Sequence, residues 1–277
     1  MPASNLDRPT EPADIGDEDG EGGRAELVSG FSRGLAVIRC FSVNASALTI
    51  AEVAKAAGLN RSTARRLLRT LEAEGYVGLA GGRYSLRPRV LELGYAYLAS
   101  VPVDQLLQQQ LFEVAEKVHE SCIAAVLDGH DAVFVARAQT TYPRVMKLAL
   151  SVGTRIPAHR TASGRVLLAG LSDGELDDYL RTADFRHGTS REITDADVLR
   201  EELGRVRAQG YCILDQEIEI GVRACAVPVP RSQQPPLAIG VSSHASVGTV
   251  QTVRREHLPV LKEAAVELDW VFRQQRT

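Results

Sequence analysis

Four side chains at helical spacing carry the clearest chemistry in this chain: Ser62, Arg65, Arg66 and Arg69. At about 100° per residue they lie on or near one helix face, opposite Ala64, Leu67, Leu68 and Leu71. Guanidinium groups presented from a short helix suit guanine edges, which accept an arginine bidentately, and the flanking phosphates. A second candidate chemistry is hydrolytic or metal-assisted, using Ser163 near His159, or Cys225 with His244. Ala162-Ser163-Gly164 is not a G-x-S-x-G elbow, because Thr161 occupies the first glycine position. Two residues do not establish a triad, and Cys225 and His244 have no third ligand at a telling spacing. The residues therefore predict binding, with no catalytic group, no metal and no cofactor.

The arginines need a scaffold, since a charged helix face alone is usually just solvated. Ile50, Val53, Ala54 and Ala57 recur at i, i+3, i+4 and i+7, so a first helix has one apolar face, with Thr49 as its N-cap. Gly58 supplies a sharp turn, Leu59 plugs it, and Asn60 caps the helix that carries the arginines. Gly75-Tyr76-Val77 ends that helix and starts a strand; Gly81-Gly82 makes a turn, and Tyr84-Ser85-Leu86 returns, with Arg83 near the tip. Helix, turn, basic helix and wing together fit a winged helix-turn-helix that reads the major groove of double-stranded DNA. Ahead of it, Phe31, Leu35 and Ile38 are expected to pack a further helix onto the motif. Arg61, Ser62, Arg65 and Arg66 are the expected base contacts, and Ser32, Arg33, Arg69 and Arg83 the expected phosphate contacts. Thr49, Asn60 and Thr63 complete the DNA-facing set.

Charge is distributed to match. The 277 residues carry a formal net charge of −3, yet residues 1–26 hold eight acids against two arginines, whereas residues 27–100 hold ten Lys/Arg against four acids. Positive charge is concentrated where the motif sits. The acidic start, rich in Pro and Gly, is expected to be a disordered tail. Cys40, Cys122, Cys212 and Cys225 are scattered without a CxxC pair, and no apolar run is long enough to span a bilayer. A reduced, cytoplasmic protein without a membrane partner is the expectation.

Beyond the wing, Pro88 ends the return strand and Leu91, Tyr95 and Leu98 mark a linker helix too apolar to stand alone, suited to joining domains or to forming a dimer surface. Past Pro102 helices and strands alternate: helix 106–119, strands 123–127 and 132–137 about the turn 128–131, a strand 145–152, helices 161–171, 176–180 and 195–209, strands 211–215, 224–229 and 237–243, and a last helix near 250–273. The fold class is α+β: a winged helix-turn-helix over 27–87, a linker helix over 88–101, and an α/β domain with an antiparallel sheet over 102–277.

These features, with GTRIPAHRTASGRVLLA at 153–169 and GYCILDQEIEIGVRACAVPV at 210–229, mark a chain that resembles the IclR family of bacterial transcription regulators from Gly30 onward. FSRGLAVIRCF, LRPRVLELGYAYL and VHESC…LDGHDAVFVAR are similar to the branch that controls aromatic-acid catabolism through protocatechuate and β-ketoadipate. The resemblance implies a GAF-like effector domain binding a small aromatic or dicarboxylic acid, and self-association as a dimer or dimer of dimers, with RNA polymerase as a further candidate partner.

Within that domain, Thr161-Ala162-Ser163-Gly164 opens a helix with small side chains, whose amides and dipole can cradle a carboxylate. By resemblance, the other pocket walls are Asp215, Ala224, Cys225 and Ser242, with Met146 and Leu148 as apolar lining. Tight packing is the plainer explanation of small residues at a helix start, and a core position that of Cys225. His159 is expected to hold the loop before the helix, while Glu217 and Glu219 suit a turn or interface. A ligand-free architectural DNA binder and a hydrolase fused to a DNA-binding module are the alternatives to a ligand-responsive regulator.

Overall fold

The computed structural model describes residues 28–42, 45–100, 105–142, 151–185, 189–230 and 236–274. The expected acidic tail over 1–26 and the lining residues Met146 and Leu148 lie outside them. The chain divides into two compact units, Met1–Tyr97 and Leu98–Thr277. The division falls within the apolar linker helix.

In the first unit, helices α1 (Ser29–Arg39), α2 (Ile50–Ala56) and α3 (Arg61–Ala73) precede a hairpin of β1 (Val77–Ala80) and β2 (Arg83–Leu86). A capping box starts α2: the Thr49 hydroxyl accepts the Glu52 amide, and the Glu52 carboxylate accepts the Thr49 amide at 2.7 Å. Gly58, at φ +63°, makes the turn that a side chain would strain. Gly81 and Gly82, both at positive φ, close the two-residue wing loop between partners Ala80 and Arg83. Val37, Val53, Ala54, Ala64, Leu68, Val77 and Tyr84 form the core.

One expectation fails here. α1 turns Val37 inward, with Cys40 and Phe41 packed beside it, while Phe31 and Leu35 stand exposed. Leu48 also exchanges both backbone hydrogen bonds with Tyr84, at 2.8 and 2.7 Å, so a short segment before α2 lies against the wing. After a 3-10 turn at Pro88–Val90 comes α4 (Leu91–Ser100), which leaves Leu91, Leu93 and Tyr95 exposed.

The second unit comprises α5 (Gln105–Val118), β3 (Ser121–Asp128), β4 (Asp131–Ala138), β5 (Arg155–Pro157), α6 (Ala162–Ala169), α7 (Asp173–Thr182), α8 (Ala196–Gln209), β6 (Cys212–Asp215), β7 (Val222–Val229), β8 (Leu237–His244), α9 (Val250–Thr252) and α10 (Leu258–Gln274). Its sheet has the order β5-β4-β3-β8-β7-β6, with every neighbouring pair antiparallel. The strand expected at 145–152 falls largely outside the described residues, and its described end, Ser151–Val152, is not strand. One edge of the sheet is β5, three residues long and ending at Pro157, and the other is β6. The final helix passes through a π turn at Val253–His257, where Leu258 donates to the carbonyl of Val253. Pro259, which has no amide to offer Arg255, sits just beyond it.

Period-two alternation gives the sheet two different faces. Cys122, Ala124, Cys225, Val227, Ile239 and Val241 join α5 and α10 in the main core. On the other face, Gly240 is so close to α6 that an added Cβ would stand 3.0 Å from Ser163 Oγ. α6 is buried along its whole length and lies against β3, β7 and β8.

Candidate nucleic-acid interface and small-molecule site

α3 separates its two chemistries cleanly. Ala64 and Leu68 are fully buried, whereas Arg61, Ser62, Arg65, Arg66 and Arg69 are exposed. The Asn60 side chain caps the helix, accepting the Thr63 amide at 2.8 Å and the Ser62 hydroxyl at 2.7 Å. The cap aligns the first turn of α3 and leaves the arginines as its exposed cations. Thr49 is engaged in its own capping box, and Ser32 and Arg33 are half-buried on α1.

Arg83 is not a bare cation at the wing. It donates to the Ala47 carbonyl at 2.8 Å and to both oxygens of Glu52 at 3.2 and 3.4 Å. Hydrogen bonds from Thr49 in the first place, and then Arg83, hold the Glu52 carboxyl below the usual range. Arg89, missed as a structural residue in the sequence, donates to the Glu74 carbonyl at 2.8 Å and lies over the Tyr76 ring. It thereby ties the segment after the wing to the end of α3.

In the second unit Ala162, Ser163 and Gly164 open α6 as expected, but the Thr161 hydroxyl already takes the Gly164 amide at 2.9 Å. Gly164 has a packing reason to be glycine: a Cβ there would overlap Ala158. His159 is structural, with Nδ1 2.8 Å from the Tyr179 hydroxyl and its carbonyl accepting Arg165 Nε at 2.6 Å. Burial, aided by the Arg165 and Arg160 guanidiniums, pulls its pKa down to about 4. Arg165 is itself buried and pairs with Glu217, while Arg160 pairs with Glu192 at 2.7 Å. Glu217 therefore has a fixed internal role, anchoring the segment after β6 to α6.

The seven predicted pocket residues within the described regions do not share one wall. Ala224 and Ser242 are direct partners, and Ser242 also pairs with Ser121, so these three side chains share the α6-covered face with Ser163. Cys225, one residue from Ala224, points to the opposite face and joins the α5/α10 core. Its thiol pKa is pushed up to about 12 by burial. Asp215 is the partner of Arg223 on that same opposite face, and it binds Arg223 at 2.7 Å and Arg191 at 3.2 Å. Alternation along β6 and β7 thus removes Cys225 and Asp215 from the wall that Ser163 and Ser242 form. Cys225 and His244 are also on opposite faces, three residue pairs apart along β7 and β8. Among the described residues no cluster of three His, Cys, Asp or Glu is placed to hold a metal.

Sequence reasoning missed Ser121 and Arg137 on the Ser163 face. Arg137 is the direct partner of Ile123 on β4, half-buried, with Nη2 3.5 Å from Ser121 Oγ. Its position at a strand end offered no periodic signal. The patch therefore sets a guanidinium and three hydroxyls around the small residues Ala224 and Gly240.

Residues 31–79 match the IclR helix-turn-helix domain, and residues 95–270 match the C-terminal domain of the bacterial transcriptional regulator IclR. The chain is 39% identical over 247 residues to the Pca regulon regulatory protein of Pseudomonas putida, covering 89% of this chain and 84% of that one. It is 31% identical to the p-hydroxybenzoate hydroxylase transcriptional activator of Acinetobacter baylyi, covering 88% of this chain and 91% of that one. Among solved structures, an IclR homolog from Microbacterium hydrocarbonoxydans complexed with 4-hydroxybenzoate superposes with a TM-score of 0.74 at 25% identity, covering 89% of this chain and all of that one.

Proposed function

Because the chain belongs to the IclR family of bacterial transcription regulators, we propose that it controls genes of aromatic-acid catabolism and changes its hold on DNA when a small aromatic acid binds the second unit. The observation that carries the reading is the exposed arginine face of α3, fixed by the buried Ala64 and Leu68 and by the Asn60 cap. Such a face meets duplex edges and phosphates with opposite charge.

The effector is a hydroxylated aromatic acid, in keeping with the 4-hydroxybenzoate complex of the Microbacterium relative and the names of the two regulators above. In this chain Arg137 takes the carboxylate, and Ser121, Ser163 and Ser242 orient the ring substituents. Their convergence on one face of the sheet supports the assignment. One winged unit sees too few base pairs for genomic specificity, so two copies act together on paired half-sites in the cytoplasm. The apolar exposed side chains of α4 supply surface for that association.

Thermal unfolding with 4-hydroxybenzoate, protocatechuate and β-ketoadipate tests the effector. Stabilisation by about 2.7 kcal/mol is expected at a hundredfold excess over Kd. No shift with any aromatic acid overturns the effector reading and favours a ligand-free binder.

A further inference from the structure

Glu52 is the single acid between Glu26 and Glu72, in the most basic stretch of the chain. A carboxylate there repels the phosphates that its neighbours attract. Helix capping does not require it, because a glutamine completes a capping box equally well. What a glutamate alone supplies is a charge for Arg83, which leaves the wing loop to reach both of its oxygens and the Ala47 carbonyl. The same Glu52 oxygen that meets Arg83 at 3.2 Å accepts the Thr49 amide at 2.7 Å and its hydroxyl at 2.9 Å. Directly beside this junction, Leu48 and Tyr84 bond backbone to backbone. One guanidinium thus ties the first residue of β2 to the residue before Leu48 and to the first turn of α2.

We propose that Glu52 and Arg83 are a positioning pair that fixes the wing against α2, and so against the arginine face of α3, for operator discrimination; Arg83 is not a phosphate contact. The proposal rests on α3 and the wing facing DNA. Both side chains are about half exposed, so the pair contributes little to overall stability. Its effect lies in the angle at which the wing meets the duplex when α3 occupies the groove.

The experiment measures binding to a duplex selected by the wild-type protein from a random pool, and to a scrambled duplex, over a range of salt. Wild-type binding to both, tighter to the selected duplex, establishes the DNA reading independently of the pair. Glu52→Gln removes a negative charge while keeping the capping box. It is expected to lower the ratio of selected to scrambled affinity about fivefold. An unchanged ratio would overturn the proposal, whatever common rise in affinity the loss of a phosphate-repelling charge brings to both duplexes. Arg83→Leu should lower the ratio similarly without changing the salt slope on scrambled duplex. Equal losses on both duplexes, with the slope falling by about 1, would make Arg83 a phosphate contact. Arg83→Lys keeps the charge but not the two-sided reach, and decides the matter if the leucine variant fails to fold. It should share the reduced ratio, and a wild-type ratio would overturn the brace.

Discussion

A Cβ on Gly164 would stand 2.5 Å from the Cα of Ala158, and closer still to its carbonyl oxygen. The start of α6 is therefore pressed against the 3-10 turn Ala158–Arg160, which leaves no room for even a methyl group. Gly164→Ala should cost about 2–4 kcal/mol in denaturant unfolding of the second unit. A loss below about 0.5 kcal/mol, within the range of neutral surface changes, would show that the turn yields and that the glycine serves another purpose.

Arg65→Ala and Arg66→Ala should each weaken binding to a selected duplex by about 1–3 kcal/mol, with a smaller loss on scrambled duplex. Competition titrations at one fixed salt concentration measure both numbers. Equal losses on the two duplexes would reassign these side chains to the phosphates.

Arg137→Gln should reduce affinity for the effector by about 1.5–3 kcal/mol, the usual contribution of a charge-assisted hydrogen bond, while binding to DNA without effector stays near the wild-type value. Calorimetry with 4-hydroxybenzoate is the readout. Unchanged affinity would remove Arg137 from the site.

The buried imidazole of His159 gives stability a definite pH dependence. Its folded pKa of about 4 lies below the ordinary value of 6.5, so above that ordinary value both states are neutral and the contribution of the buried ring is complete. As pH falls towards the folded value, the unfolded chain takes a proton that the folded chain refuses. The stability lost across that interval is at most about 3 kcal/mol. Denaturant midpoints taken from neutral pH into this acid range should fall, and His159→Gln should show a shallower fall. An identical acid profile in the variant would exclude His159 as the source.

Much of this architecture was legible because it is local. The caps at Thr49 and Asn60, the glycines at 58, 81 and 82, and the Gly129 turn between β3 and β4 act within a few residues of themselves. What escaped depends on contacts distant in sequence. Phe31, Leu35 and Ile38 share a helical stripe, yet the adjacent Val37 is what meets α3, and spacing alone does not choose between neighbouring stripes. Cys225 is one step from Ala224, so strict strand alternation already separates them; the separation became visible only with β6, β7 and β8 in register. Arg83 reads from the sequence as a phosphate contact at the wing, because Glu52, its partner, lies 31 residues earlier. Arg137 ends the run VHESC…LDGHDAVFVAR, but its nearness to Ser121 and Ser242 arises only from the sheet order.

The most direct test is a binding isotherm of the whole protein on its selected duplex in the presence of scrambled competitor at physiological salt, repeated with a saturating aromatic acid. A preference of about a thousandfold or more for the selected duplex is expected, together with a measurable shift of the isotherm when the acid is added. Equal binding to both duplexes, unmoved by the acid, would contradict the assignment of α3 as a reader of sequence and of the second unit as its ligand-responsive control.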